Sequence, residues 1–404
     1  MKQQNNTSPL KGRDIIVTGL QPWDTEIGSN CKDIALELSR HNRILYVNYP
    51  MDRISYLRSK EHPQIQARIK SLKGEEPRLK QVKENIWELN PRVIMESINK
   101  IPNRPLFDWL NKRNNKKLAG EINSAMQELG FEDAVLFNDN DFLRGFYLPE
   151  MVDQKLSIYY LRDNLTLQDY FKRHGQRLEK QLMAKSDYVM ANSVYLAEYA
   201  RDHNPHSYYV GQGFEAAHFL DQSELAHPED VQPIKKPVIG YVGALISLRL
   251  DIPLLEKIAE NLPEYSLVLV GPEDEDFQQS KLHGMSNVHF LGKRPVDQVP
   301  AYIASFDVCI NPQVVNYMTI GNYPRKIDEY LVMGKPVVAT KTNGMIPFEN
   351  HTYLCETVED YISKIKQAIE ENSDQKRQER IDFAMTHTWE HSVKAMAEAI
   401  SDNQ

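Results

Sequence analysis

The stretch that decides the fold runs from Asn311 to Thr340 and reads NPQVVNYMTIGNYPRKIDEYLVMGKPVVAT. A short apolar run before it, Phe306 to Ile310, predicts a buried strand that opens into a loop at Asn311. After Pro324 an apolar stripe predicts a helix, which Gly334-Lys335-Pro336 ends before a second buried strand. The loop after the first strand should therefore lie at the ligand-binding edge of a parallel sheet.

Lys326 and Glu329 are three residues apart in the first turn of that helix, so their side chains leave neighbouring points of one face. A helix N-terminus favours anions, a lysine adds a mobile positive charge, and a carboxylate accepts from two ribose hydroxyls. The pair predicts a pocket for a nucleoside diphosphate. The alternative is a surface ion pair worth about 0.2–0.5 kcal/mol.

The length of 404 residues suits two domains rather than one core. With 41% hydrophobic and 26% charged residues the composition is that of a soluble globular protein, and no run approaches the roughly 18 apolar residues of a membrane span. The three cysteines, Cys31, Cys309 and Cys355, are odd in number and widely spaced, and no apolar signal region is visible at the N-terminus. These features predict a reducing compartment, by default the cytoplasm.

Two regions follow the same strand, helix, strand plan. Asp14 to Gly19 and Arg43 to Tyr49 read as buried strands around a helix, and the plan returns from Pro237 to Val270. We therefore predict an α/β chain of two Rossmann-like domains at residues 14–215 and 216–375. A polar tail at 1–13 is predicted to be disordered, and a helical segment follows at 376–404.

The loop after the first strand contains no G-x-G-x-x-G, which disfavours an ordinary dehydrogenase. Its Trp23 is a candidate for stacking on a sugar, Asp24 or Glu26 for bonding hydroxyls, and Gly28 for close approach of the backbone. Each of these residue types is also common in plain turns. The loop is a predicted acceptor or sugar site.

Polar clusters follow two later strands of the first domain. Asp141 closes the run after Ala134–Asn138, and Asp163 follows the strand-like Ser157–Leu161. Asp163 is the first candidate for a general base that takes the proton of an attacking hydroxyl, with Asp24 and Asp141 as alternatives. The competing interpretation for Asp163 is a helix cap, because Asn164 to Leu167 leads into a predicted helix.

Gly243 ends the first strand of the second domain, where the missing side chain would let a diphosphate approach the backbone. Arg249 follows in the same loop and is a candidate for neutralising phosphate charge.

The run PRKIDEYLVMGKPVVA, from Pro324 to Ala339, resembles the donor-site signature of GT-B glycosyltransferases of the bacterial exopolysaccharide and teichuronic-acid type, P-x-K-x-x-E-Y followed by G-x-P-V-V. The resemblance implies two domains facing each other across a cleft and a C-terminal helix that crosses back to the first. It also implies that Lys326 contacts the nucleotide phosphates and Glu329 the ribose. One position departs: where many retaining members have a second glutamate, this chain has Gly321.

The implied activity is transfer of a sugar from a UDP- or GDP-sugar to a hydroxyl of a glycan or lipid-linked acceptor, and Gly321 favours an inverting displacement. No metal site is predicted, because the histidines of His387-Thr-Trp-Glu-His391 lack the H-E-x-x-H order. Mg²⁺ with the donor phosphates is compatible with the sequence but not required. Two rivals are a non-catalytic sugar-nucleotide-binding protein of the same fold and a sugar-nucleotide epimerase.

Charge is unevenly distributed along the chain. Arg53 to Lys117 carries a surplus of 9 positive charges, which leaves −17 for the remainder of a chain whose net charge is −8. One interpretation is docking on an anionic membrane at its cytoplasmic face, and the other is a set of solvated helices. Nucleic acid is disfavoured, because the total charge is negative and no binding-module motif occurs.

Overall fold

The structure is a computed structural model that describes residues 9–25, 28–58, 63–220, 228–316 and 319–402. It consists of two compact units. The N-terminal unit comprises Met1–Gly211 together with Trp389–Gln404, and the C-terminal unit comprises Gln212–Thr388. The chain thus passes between the units twice, and the first passage is close to the predicted boundary at 215.

The N-terminal unit alternates strands and helices. In chain order its elements are β1 (Asp14–Gly19), α1 (Asn30–Ser39), β2 (Arg43–Val47), β3 (Met51–Asp52), α2 (Arg53–Arg58), α3 (Pro63–Lys73), β4 (Leu79–Lys83), β5 (Ile86–Leu89), β6 (Ile94–Met95), α4 (Arg104–Leu129), β7 (Val135–Asp139), α5 (Leu148–Met151), β8 (Leu156–Leu161), α6 (Gly175–Lys185), β9 (Tyr188–Ala191), α7 (Val194–Arg201) and β10 (Ser207–Tyr209).

The main sheet of this unit has the strand order β10-β9-β8-β7-β1-β2-β5-β4, parallel except for the edge pair β4–β5. Strands β1, β7 and β8 are almost entirely buried, as parallel strands covered by helices on both faces are. Their carboxyl ends lie side by side, since Gly19 is paired with Asp139 and Asp139 with Tyr160. The predicted acceptor loops therefore share one edge of the sheet.

The C-terminal unit has a second parallel sheet of order β13-β12-β11-β14-β15-β16. Its elements are α8 (Ala217–Leu220), β11 (Val238–Val242), α9 (Ile252–Asn261), β12 (Ser266–Val270), α10 (Glu275–Gln278), β13 (Val288–Phe290), α11 (Val299–Ser305), β14 (Val308–Asn311), α12 (Lys326–Val332), β15 (Val337–Thr340), β16 (Tyr353–Cys355), α13 (Val358–Glu370) and α14 (Asp374–Ala384). The predicted α/β class with two Rossmann-like halves is confirmed.

The C-terminal segment departs from the prediction of one crossing helix over 376–404. The structure breaks it into α14, a 3-10 turn at Met385–His387, and α15 (Trp389–Ser401). Helix α14 stays in the C-terminal unit and packs on α12, whereas α15 belongs to the N-terminal unit and packs on α1. The break has a physical cause: Thr388 forms a β-bridge with Phe214, which holds the chain extended between the two helices.

Helices α2 and α3 are separate elements, and residues 59–62 between them lie outside the described part. Helix α6 begins at Gly175, after a series of turns. One further expectation changes. Within the predicted disordered tail, residues 1–8 lie outside the described part, but Leu10 is buried in the core of the N-terminal unit because its side chain is apolar.

Glu179 on α6 is a buried carboxyl that sequence reasoning did not single out. It is 1% exposed and accepts hydrogen bonds from Tyr159 OH at 3.2 Å and Tyr199 OH at 3.5 Å. Burial raises the pKa of Glu179 to about 7, against an ordinary value of 4.5, because the two hydroxyls compensate only part of the lost hydration.

This pKa shift gives the stability a defined pH dependence. A carboxyl whose pKa is raised by folding makes the folded state bind protons more readily, so stability is greatest below about pH 4.5 and falls as the pH rises towards 7. We expect a loss of about 3 kcal/mol from this group. Glu179→Gln should match the wild type in urea unfolding near pH 4 and exceed it at pH 8. Glu198→Gln, an exposed position on α7, is the control, and parallel pH curves for wild type and Glu179→Gln would contradict the assignment.

Candidate functional site

Lys326 and Gly243 come together at the carboxyl edge of the C-terminal sheet. A Cβ placed on Gly243 would lie 2.3 Å from Lys326 Cε and 2.6 Å from Nζ, so any other side chain would push the lysine out of this position; the φ of 143° at Gly243 also favours glycine. The Lys326 Nζ also lies 5.4 Å from the centre of the Tyr241 ring. It makes no hydrogen bond or ion pair with any residue that the structure describes. The lysine therefore carries an uncompensated charge against the end of β11.

The backbone beside this lysine offers a hydrogen-bond donor. The N–H of Gly243 is donated to Val270 O at 2.8 Å and is not available. The next N–H, of the exposed Ala244, makes no hydrogen bond within the described part of the chain. Gly243 thus contributes room rather than its own donor, and Ala244 contributes the donor.

Glu329 lies one turn after Lys326 and is half-buried. Arg325 Nε is 3.3 Å from Glu329 Oε1, so the surface ion pair weighed for this helix exists, but with Arg325 rather than Lys326 as the partner. Helix α12 spans seven residues, and no side chain caps its start. The preference for an anion therefore rests on the Lys326 charge rather than on the helix dipole.

Polar side chains at the ends of β14 and β15 border the same edge. Asn311 Nδ2 and Thr342 Oγ1 are buried and make no hydrogen bond with the described residues. Buried polar atoms are normally paired, so the arrangement is that of a surface that binds a polar ligand. Tyr361 OH donates to Asn311 O at 3.1 Å and fixes the end of β14 from behind.

Arg249 lies in the loop that follows Gly243, but in the described part of the chain its side chain does not contact Lys326. It is exposed, its backbone N–H is donated to Ile246 O, and its carbonyl accepts from Val314 N. These bonds place it on the same loop edge as Gly243. No contact within the described residues brings its guanidinium to Lys326.

In the N-terminal unit, Asp163 is held by Arg162. Arg162 Nη1 lies 2.6 Å from Asp163 Oδ2, and its Nε lies 2.9 Å from Oδ1 of Asp139, which is fully buried. Burial raises the pKa of Asp139, while the two carboxylates raise the pKa of Arg162. Asp163 is the partly exposed member of this series of three charged residues, with 34% of its side chain accessible. It is therefore the member that a substrate can reach.

The other two candidate bases have different environments. Asp141 is almost buried and its carboxylate accepts from the N–H groups of Leu143 and Arg144 and from Arg144 Nε, which fixes the turns that follow β7. Asp24 is 37% accessible and Arg68 Nη2 lies 3.0 Å from it. The carboxylate of Asp141 is therefore occupied by hydrogen bonds that hold the loop, whereas the carboxylate of Asp24 remains partly accessible.

Tyr49 connects these two acids. The guanidinium carbons of Arg68 and Arg144 lie 4.8 and 5.0 Å from its ring centre. Because each arginine is paired with one of the acids, the three residues join the loop after β1 to the loop after β7. Neither arginine was singled out from the sequence, since nothing in its spacing indicates the partner.

Trp23 and Gly28 occupy different surroundings. Trp23 is 9% exposed and belongs to the core, with Tyr46 at 5.3 Å edge-on and Lys32 Nζ at 4.9 Å from the ring centre. Of the two roles that the sequence allowed, the structure supports the structural one. Gly28 is exposed directly before Ser29, the N-cap of α1.

A cavity of about 420 Å³ lies beside Asp141 in the N-terminal unit. Apolar and aromatic side chains and several amides line it, among them Ile98, Tyr170 and Asn111. Asn111 is 1% exposed and its Nδ2 donates to no described residue. The cavity thus presents an apolar wall with an available amide donor, a combination suited to a sugar or a similar polar ring.

Within the described residues no group of three or more histidine, cysteine, aspartate or glutamate side chains is arranged to hold an ion.

Sequence reasoning missed two residues at the carboxyl edge of the C-terminal sheet. Tyr241 lies beside Lys326 without any distinguishing spacing. Gly271 follows β12, and a Cβ there would lie 1.9 Å from Gly243 O. A glycine directly after a buried strand, in the position that Gly243 has after β11, was the signal that could have identified it.

Part of the chain is similar in sequence to known proteins. Residues 236–371, inside the C-terminal unit, match the family model described as Glycosyl transferases group 1. TuaH of Bacillus subtilis (strain 168), named as a teichuronic acid biosynthesis glycosyltransferase, is 26% identical over 244 residues, which make up 56% of this chain and 60% of that protein. The match thus spans less than two thirds of that relative.

Solved structures agree on the fold. The chain is similar to HepE of Anabaena in complex with UDP, with a TM-score of 0.64 and 15% identity over 96% of this chain and 100% of that one. It is also similar to sucrose-phosphate synthase of Thermosynechococcus elongatus, with a TM-score of 0.62 and 13% identity over 97% and 99%. At these identities the likeness shows the fold alone. The resemblance inferred from the sequence is confirmed: the chain has the fold of GT-B glycosyltransferases, and residues 236–371 match the Glycosyl transferases group 1 model.

Proposed function

We propose that this protein transfers a sugar from a nucleotide diphosphate-sugar to a hydroxyl of a glycan or lipid-linked acceptor in cell-surface polysaccharide synthesis. The observation that carries the proposal is the uncompensated Lys326 ammonium, held against Gly243 at the carboxyl edge of the group 1 domain. Breaking the bond between a sugar and a diphosphate leaves negative charge on the diphosphate, and a fixed cation at that point lowers the barrier.

The donor would be bound by the C-terminal unit. Lys326 and the Ala244 N–H are placed for phosphate oxygens, Glu329 for ribose hydroxyls, and Arg249 for additional phosphate charge. UDP is the first nucleotide to test, because the neighbouring HepE structures hold UDP, UDP with glucose, and UDP-glucose. GDP remains the alternative. Mg²⁺ with the donor phosphates is compatible with the proposal but not needed for it.

The acceptor would be bound by the N-terminal unit, along the edge that carries Asp163 and Asp24. The acceptor oxygen attacks the anomeric carbon, the bond to the diphosphate breaks, and the hydroxyl proton passes to the base. Asp163 suits that role because its carboxylate is accessible, while Arg162 keeps it oriented. Gly321, where many retaining relatives have a glutamate, favours a single inverting displacement.

The rival functions predict different measurements. A binding protein of the same fold would hold the nucleotide without turnover, and an epimerase would change the sugar without releasing a nucleoside diphosphate. Release of UDP or GDP from a panel of nucleotide sugars therefore separates the three.

Donor binding should depend on Lys326. Removing its charge-assisted contact with phosphate in Lys326→Ala should weaken UDP binding about tenfold to a hundredfold in a calorimetric titration. Lys281→Ala is the matched control. Lys281 is an exposed lysine in the segment before β13, the outermost strand on one side of the same sheet. Unchanged affinity in both Lys326→Ala and Glu329→Ala would exclude the proposed pocket.

Turnover should depend on Asp163. In the nucleotide-sugar panel, the wild type should release nucleoside diphosphate from one donor, and Asp163→Asn should lower that rate by about 10²–10⁴ with little change in UDP affinity. Asp169→Asn, an exposed acid in the same loop region, controls for the loss of charge. Near-normal turnover in Asp163→Asn would move the base to Asp24, and no release from any donor would favour the binding protein.

We further propose that α4 docks on an anionic membrane surface, where a lipid-linked acceptor would be available. Leu106 and Trp109 are 47% and 59% exposed on this helix, and Lys112, Arg113 and Lys116 are exposed near them. Their spacing puts all five on one face. Apolar and basic groups side by side on a helix are typical of attachment to a lipid interface.

Other charges of the basic segment are engaged in the fold. Arg53, Arg68 and Arg78 form ion pairs, and Lys117 Nζ lies 2.7 Å from Ile94 O. The docking face therefore excludes Lys117. Within the described residues no helix is long and apolar enough to cross a bilayer. The buried, unpaired cysteines fit the proposed cytoplasmic location.

Membrane docking should depend on lipid charge and on α4. The wild type should co-sediment with anionic vesicles at low salt and be released at high salt, because each Lys or Arg near the surface contributes about 1 kcal/mol. Lys112→Glu with Lys116→Glu should lower binding at least about tenfold. Lys80→Glu with Lys83→Glu, on the exposed edge strand β4, reverses the same charge elsewhere in the segment. Equal losses in both double variants, or binding that ignores lipid charge, would refute docking through α4.

A further inference from the structure

Helix α12 carries a fully buried carboxylate, that of Asp328, between Lys326 and Glu329 in the sequence. Asp328 is 0% exposed, and both its oxygens are bonded: His387 Nδ1 lies 2.7 Å from Oδ1, and Tyr323 OH donates to Oδ2 at 2.7 Å. Burial raises the pKa of Asp328, and the bonds to His387 and Tyr323 oppose that shift. A buried carboxylate is costly without such partners, so these two side chains determine whether it is tolerated.

The His387 ring is fixed by aromatic neighbours. Phe383, Phe348 and Tyr323 meet it edge-on, with ring centres 4.6, 5.6 and 6.5 Å away. This packing directs the Nδ1 side of the ring to Asp328. The contact is therefore built into the core of the unit rather than formed by a mobile surface side chain.

The network joins three separate segments of the chain. Tyr323 belongs to the polar loop before α12, Asp328 to α12 itself, and His387 to the turn after α14. Directly after His387, Thr388 is bridged to Phe214, near the point where the chain enters the unit. The side of α12 that faces away from Lys326 is thus tied to the end of the C-terminal unit.

Helix α12 needs this support because its own start is weak. It spans seven residues, and the N-cap position, Arg325, has helical backbone geometry and makes no side-chain capping bond to the first turn. A missing cap leaves backbone N–H groups of the first turn without partners and destabilises the helix. The bonds to Asp328 supply from outside what the helix lacks in its own first turn.

We infer that His387 and Tyr323 are positioning residues for the donor site, acting through Asp328 to keep Lys326 against Gly243 and Glu329 at its observed orientation. The inference rests on the proposed function of that site. Asp328 is two residues from Lys326 and next to Glu329, so a shift of this turn displaces both. Donor binding should respond, and the chemical step in the N-terminal unit should not.

The test compares four variants by UDP titration and by donor KM and kcat. His387→Phe keeps the ring packing but removes the donor to Asp328, and Tyr323→Phe removes the other donor. We expect each to raise the UDP Kd and donor KM about tenfold, with kcat at saturating donor within about twofold of the wild type. His387→Asn should restore most of the affinity, because its amide nitrogen is as far from Cβ as Nδ1 is.

His351→Phe is the matched control. His351 stacks on Phe383 at 3.9 Å in the same aromatic cluster, and Phe preserves that packing. Its affinity for UDP should stay within about twofold of the wild type. Wild-type affinity in both His387→Phe and Tyr323→Phe, or an equal loss in His351→Phe and His387→Asn, would overturn the positioning role while the donor site stands. Absence of any UDP or GDP binding by the wild type would overturn the donor site and this inference with it.

Discussion

The contact between the Lys326 side chain and the bare Cα of Gly243 is the constraint on which the C-terminal site depends. It requires that β11 end at a residue without a side chain and that α12 begin with its lysine directed to that point. One hydrogen bond and one close backbone approach set these elements. Tyr330 OH accepts from Val242 N at 3.0 Å, which joins α12 to the end of β11, and Gly271 lets the end of β12 pass close to Gly243 O. A side chain at Gly271 would displace the backbone of Gly243, whereas one at Gly243 would displace the Lys326 side chain and strain a backbone with a φ of 143°.

Some residues of this site could be predicted from the sequence, and others could not. Lys326 and Glu329 stand in a fixed local pattern, and Gly243 ends a clearly buried strand, so helix and strand periodicity locate all three. Asp328 and His387 are 59 residues apart, and only the fold makes them partners. Arg249 was assigned by residue type alone, and its observed bonds are those of its backbone. Long-range pairing is the information that spacing does not contain.

The N-terminal unit shows a related limit. Parallel pairing of β1, β7 and β8 was predictable from their apolar runs, and it correctly brought Asp24, Asp141 and Asp163 to one edge. The sequence could not rank these three acids, because their difference lies in their partners. Asp141 is engaged by two backbone N–H groups and Arg144, whereas Asp163 keeps an accessible carboxylate beside Arg162. Likewise, Trp23 reads as a loop residue but is drawn into the core by Tyr46.

The central claim is that a nucleoside diphosphate binds where Lys326 meets Gly243. A crystal structure of the protein with UDP tests it most directly. The account predicts diphosphate oxygens within about 3.2 Å of Lys326 Nζ and of the Ala244 N–H, and ribose hydroxyls at the Glu329 carboxylate. UDP bound away from these groups, with Lys326 still directed to Gly243 and in contact with no phosphate, would contradict it.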